Sequence, residues 1–212
     1  MSPGSGVSVV SVVSSALAPV LLIGGWTVAA SRQAGGFDAA SRSISALAAT
    51  DADDRWIMTA SLAGVGICHL VTASGLAAAA APGRALLAAG GAATLLVAGF
   101  PLGSGGAPAV HAVVAAGAFG ALAVWPAASW AQTGEGPWPL RIGGALTGAG
   151  VLLGLVGWFV TQLGGGANLG TAERWAAGAQ ALWPFVVTAG CLVTHRTRRP
   201  KGPASGSVGL HA

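Results

Sequence analysis

Six apolar segments, each close to the thickness of a bilayer core, leave this chain few ways to fold. They run over Val7–Ala30, Trp56–Ala80, Ala85–Leu102, Ala107–Trp130, Ile142–Leu163 and Ala172–His195. A helix needs about 20 apolar residues to cross the hydrocarbon of a membrane. The fold class read from this pattern is all-α, a polytopic membrane bundle of six transmembrane helices. Charge agrees. Only 8% of the 212 residues are charged, against about 25% in soluble domains. Six Asp and Glu cannot coat a soluble body of this size, whereas lipid solvates Leu, Val and Ala directly. Residues 1–6 then form a short N-terminus, 7–199 the six-helix domain, and 200–212 a disordered tail. Val28-Ala29-Ala30 faintly resembles a signal-peptide cleavage site. No basic stretch precedes it, and the apolar run is too long for a cleaved leader.

Turn residues separate the segments. Pro82-Gly83-Arg84, the Gly-rich stretch from Pro101 to Pro108, Gln132 to Arg141 with its two prolines, and Gly164-Gly165-Gly166 are all breaks. An even number of crossings puts both termini on one side. That side carries Arg84, Arg141, Arg196, Arg198, Arg199 and Lys201, and the other carries Arg32, Arg42, Arg55 and Arg174. The excess of positive charge places both termini in the cytoplasm of a bacterial cell, and the chain in its plasma membrane. In the fifth segment Gly144-x-x-x-Gly148 and Gly150-x-x-x-Gly154 suit close helix crossing.

The few polar residues gather toward the outside. Ser31 to Arg55 is the longest connection. Its apolar phase (Phe37, Ile44, Leu47) predicts a short interfacial helix capped by Asp38, with Arg42 turned toward headgroups or into the mouth of the bundle. Thr50 reads as the N-cap of the second helix, with Asp51, Asp53 and Asp54 following it, and Thr171 and Glu173 read as caps of the sixth. His69 is different. It sits mid-segment, where an ionisable group is costly and faces the bundle interior. Arg55 lies four helical turns before it on the same face. His111 lies near the outer end of the fourth segment. Trp158, Gln180 and Trp183 complete a mixed aromatic and polar set. Other tryptophans, such as Trp26, Trp56 and Trp175, fall at the interfaces, as an aromatic belt does. No metal-ligand spacing, phosphate loop, dinucleotide fingerprint or nucleic-acid face occurs, and two cysteines are too few for a zinc site. Neither cofactor nor metal is expected.

Taken in order, Phe37-Asp38, Ser43-Ile44-Ser45-Ala46-Leu47-Ala48-Ala49, Arg55-Trp56-Ile57-Met58-Thr59, His111 with Phe119, Pro137-Trp138-Pro139-Leu140-Arg141, Ala172-Glu173-Arg174 and Gln180-x-Leu182-Trp183-Pro184 resemble a bacterial membrane family. It is the domain of unknown function family numbered 998. The resemblance covers about Val7 to His195 and implies six membrane helices. It implies no activity. Ala39 departs from the pattern, which has Pro after the Asp.

These residues lead to one expectation and two alternatives. The expectation is an outward-opening pocket for an apolar lipid or isoprenoid. Asp38 or Glu173 would be a catalytic acid with His111 beside it, and Arg42, Arg55, His69, Trp158, Gln180 and Trp183 would bind substrate. An acid-initiated terpenoid cyclase fits that set, with Trp faces stabilising a carbocation. The alternatives are a non-catalytic lipid-binding or accessory protein and a small transporter. His69 is the only support for transport. The oligomeric state is left open.

Overall fold

The computed structural model of the chain describes residues 6–103, 105–131 and 136–198. Among these residues, six helices are long and apolar enough to cross a bilayer. They are α1 (Val9–Ser31), α2 (Trp56–Gly75), α3 (Ala81–Gly99), α4 (Pro108–Ala128), α5 (Ile142–Gln162) and α6 (Leu169–Arg198). Consecutive helices pack on each other, and α6 closes the ring against α1. Both ends of the described chain therefore lie on one face, the terminus face. The α1–α2 connection lies on the opposite one, the loop face. The expected tail beyond residue 199 falls outside the described residues.

The outward surface is what lipid requires. Val113 is 72% and Val193 61% exposed, with Val20, Ile67, Leu146 and Val151 also turned out. Polar side chains turn inward instead, among them Ser11, Ser15, His69, Thr72, Gln180 and Thr188. This inverts the arrangement of a water-soluble bundle.

Helix starts show where local chemistry differed from expectation. Pro82-Gly83 reads as a break in sequence, yet both residues lie in the first turn of α3. Proline is favoured there, because the N–H it lacks would have had no helical partner. The break instead falls at Leu76–Ala80, so α2 ends five residues before the expected Ala80. Thr50 does not cap α2. Arg55 holds that position, and the Thr50 N–H donates to the Leu102 carbonyl at 2.8 Å. Asp53 accepts from the Ala34 N–H at 2.8 Å, tying the start of the loop to its end.

The interfacial helix is not found as drawn. The loop's helical element is a 3-10 turn over Ser45–Ala48. Ile44, Leu47 and Ala48 are buried in the cluster that includes Leu22, Met58 and Leu62. Apolar residues that could float at an interface are better shielded when docked between helices, and here the docking groups exist.

In α5, one glycine pair packs and the other does not. A methyl group at Gly144 or Gly148 would strike the Trp138 carbonyl or the Trp183 ring, whereas Gly150 and Gly154 meet nothing within 4 Å. The spacing alone could not distinguish them.

Candidate functional site

A cavity lies between α1, α2, α3, α4 and α6, under Ile44 and Ser45 of the loop. Its walls come from residues at three- and four-residue steps: Leu62, Val65 and His69 on α2, Ala115, Ala118, Phe119 and Leu122 on α4, and Glu173, Ala177, Gln180 and Ala181 on α6. Such steps put each set on one helix face. Thr94 and Val97 of α3 and Leu22 of α1 close it. Its roof is on the loop face, near Glu173 in the second turn of α6. Its floor is near His69, about 20 Å below the start of α2 at 1.5 Å per residue. The volume is about 70 Å³. One water takes about 10–15 Å³ on this measure, so the space suits a slender chain or a short file of small molecules, and not a folded polycycle.

Two side chains fix its upper end. Glu173 is 4% exposed and its Oε2 accepts from the Ile44 N–H at 2.6 Å. The carboxyl thus serves the first orphan donor of the 3-10 turn, and not the start of its own helix as the sequence suggests. Arg174, next along, takes carbonyls: its Nη1 donates to Ala39 at 2.7 Å, Arg42 at 3.0 Å and Gly170 at 2.9 Å. Its guanidinium also lies 5.7 Å from the Phe37 ring and 5.9 Å from Trp26, and Arg42 stacks on Phe37 at 4.5 Å. The Thr171 N–H adds a bond to the Ala40 carbonyl at 3.0 Å. Together with the buried Ile44, Leu47 and Ala48, this clamp fixes the middle of the loop over the cavity.

The family model described as protein of unknown function (DUF998) matches residues 16–190. The chain belongs to the DUF998 family. No curated protein and no solved structure matches it. In this DUF998 chain the Phe37–Ala49 and Ala172–Arg174 stretches are the two halves of the clamp.

The expected site residues separate. Glu173, Gln180 and His69 line the cavity together. Gln180 Nε2 donates to the Phe119 carbonyl at 2.8 Å, joining α6 to α4. His69 is 1% exposed, and neither ring nitrogen has a hydrogen-bond partner among the described residues. Asp38 does not line the cavity. It is exposed, its carboxylate accepts from the Ala40 N–H at 3.0 Å and the Ser41 hydroxyl at 2.6 Å, and it shapes a turn. The Ser41 hydroxyl, then the Ala40 N–H, hold its pKa below the ordinary carboxylate value. The turn is therefore strengthened above that ordinary value and loses the benefit as pH falls through the lower, folded one.

His111 also serves elsewhere: its Nδ1 bonds the Phe100 carbonyl at 2.8 Å, at the end of α3. His111→Ala is expected to lower stability by about 0.5–1.5 kcal/mol, read as a thermal shift in detergent. An unchanged melting temperature would deny that link. Arg42 sits on Phe37, Arg55 at the start of α2, and neither lines the cavity. Trp158 is on the exposed side of α5. Trp183 packs edge-on to Trp138 at 6.2 Å in the terminus half.

Sequence reasoning missed Thr94, whose hydroxyl donates to the Gly90 carbonyl at 2.8 Å. It also missed a hydroxyl seam below His69. Ser14 and Thr72 share a bond of 2.8 Å, as do Ser15 and Thr188, and Ser8 donates to Ser11 at 3.0 Å. The signal was present as Ser11, Ser14 and Ser15 on one face of an apolar segment, with Thr72 three residues after His69.

Proposed function

We propose that this protein is a membrane-embedded binding protein for a slender, lipid-like molecule with one polar end. The observation that carries this reading is the buried His69 ring, without a hydrogen-bond partner among the described residues. It lies at the floor of a cavity whose walls are largely aliphatic and whose other polar side chains, such as Glu173 and Gln180, are already bonded to backbone. An unpaired buried polar group costs about 1–3 kcal/mol, and a ligand hydroxyl or carboxyl would relieve it. The aliphatic walls favour a hydrocarbon chain. The ligand would enter from the loop face, which faces outward if both termini are cytoplasmic in a bacterial plasma membrane.

Catalytic cyclisation gains less support. Asp38, His111 and Glu173 stand in separate surroundings, and Trp158 and Trp183 are not cavity walls. Glu173 alone remains as an acid, with Phe119 as the only aromatic wall beside it.

The test uses purified protein in nanodiscs and two photoreactive probes, a diazirine-bearing farnesol and a straight-chain alcohol carrying the same group. Saturable labelling of the α4 stretch that contains Ala115 to Leu122 is expected, with loss of labelling in Ala118→Phe and none in Asp38→Asn. Labelling confined to the lipid-facing side, at Val113 or Val124, would reject the reading.

A further inference from the structure

We propose that the cavity is the outer half of a proton path through the bundle, with His69 as its relay and the hydroxyl seam as its inner half. It rests on the same cavity as the binding reading but does not need a ligand in it. Three observations support it. First, ionisable side chains inside a membrane bundle are rare, and proton relays are among the functions they mark. Two of them, Glu173 and His69, bracket the cavity, while its walls from α1, α3 and α4 contribute no titratable group. Second, neither His69 nitrogen has a hydrogen-bond partner among the described residues although the ring is buried. A relay histidine needs that, since it must take a proton at one nitrogen and release one from the other. Third, polar groups continue beyond it. Thr72 is one turn further along α2 and bonds Ser14 of α1. Ser14 in turn donates to the Ser11 carbonyl, Ser11 donates to the Val71 and Thr72 carbonyls, and Ser8 donates to the Ser11 hydroxyl. A proton leaving Ser14 toward the terminus face therefore needs hydroxyl rotation at Ser14 and Ser11. At that face the Ser8 N–H meets the Gly75 carbonyl at 3.0 Å, and Arg84 Nε meets Ala73 at 3.1 Å. Around this seam the terminus half of the interior is mainly Leu, Ala and Val, with Trp125 and Cys191, and a second hydroxyl pair joins Ser15 to Thr188.

The step balances without a co-reactant. A proton from the loop face passes Glu173 and reaches one imidazole nitrogen through water in the cavity. The imidazolium then loses its other N–H proton toward Thr72. That loss leaves the ring neutral in its other tautomer, and a ring flip or tautomer exchange restores the starting state. A ligand filling the cavity would stop this traffic, so occupancy and proton flow are exclusive.

The experiment reconstitutes the full chain in vesicles containing a trapped pH dye, with a potassium gradient and valinomycin setting the potential. Wild-type vesicles should dissipate an imposed pH step clearly faster than protein-free ones. His69→Gln, similar in size, should fall to the protein-free rate. Thr72→Val should lower the rate severalfold, and Thr72→Ser should restore it. Ala118→Phe should also abolish the flux. A wild-type rate equal to that of empty vesicles, or a His69→Gln rate equal to wild type, would overturn the proposal. Absent flux with intact probe labelling at α4 would remove the path alone. Absent flux together with absent labelling would remove the cavity reading as well.

Discussion

Glu173→Ala is expected to unfasten the loop between α1 and α2, at a cost of about 1–3 kcal/mol. The loss comes from what stays behind. Ile44 is buried and its N–H has Glu173 as acceptor at 2.6 Å, so removing the carboxyl leaves a buried donor without its protein acceptor. In a protein of this length such a change shifts the melting temperature by on the order of 2–4 °C per kcal/mol. Glu173→Gln separates acceptor from charge, because its amide oxygen can still take the bond. It should recover most of the loss. The Ile44 amide should exchange with deuterium faster in the Ala variant and near the wild-type rate in the Gln variant. Equal exchange in wild type and Glu173→Ala would show that Arg174 and Thr171 hold the loop without the carboxyl. An equal drop in both variants would mean that charge, and not the acceptor, is what the turn needs.

The same contact shows how far the sequence could be read. The six spans were legible because lipid imposes one demand on every residue of a segment, and composition records it directly. The candidate site was legible only in part. His69, Glu173 and Gln180 stand in apolar surroundings, so their burial followed from membrane energetics. Their partners did not follow. A carboxylate at the start of a helix has a local use as a cap, and the sequence contains nothing that prefers a backbone N–H 129 positions away. Asp38 looked like a member of the site for the opposite reason. It lies beside site residues in the chain, but its own neighbours Ala40 and Ser41 satisfy it first. His111 was placed at the right end of the right helix, and its partner is a carbonyl, which no side-chain pattern announces. The hydroxyl seam was overlooked because Ser and Thr in apolar helices often bond their own preceding turn, as Ser61 and Thr59 do here.

Helix spacing gives the second large expected effect. Gly66 of α2 and Gly91 of α3 face each other so closely that a methyl on either would meet the other's carbonyl oxygen. Those atoms are backbone, so no rotamer change relieves the contact. Gly66→Val and Gly91→Val should each force α2 and α3 apart and lower stability by about 1–3 kcal/mol or more. A methyl at Gly91 would also press on the His69 Cβ, so that variant should disturb the cavity as well. Gly150→Val and Gly154→Val serve as controls of the same chemistry, since nothing lies near either position. They should melt within about 0.5 kcal/mol of wild type, as surface changes do. The comparison isolates close approach from the intrinsic effect of valine on a helix, which all four variants share. If Gly154→Val were as damaging as Gly66→Val, the outward face of α5 would itself be a packed surface in the membrane. The open side of the bundle would then have to be assigned to contact with protein rather than lipid.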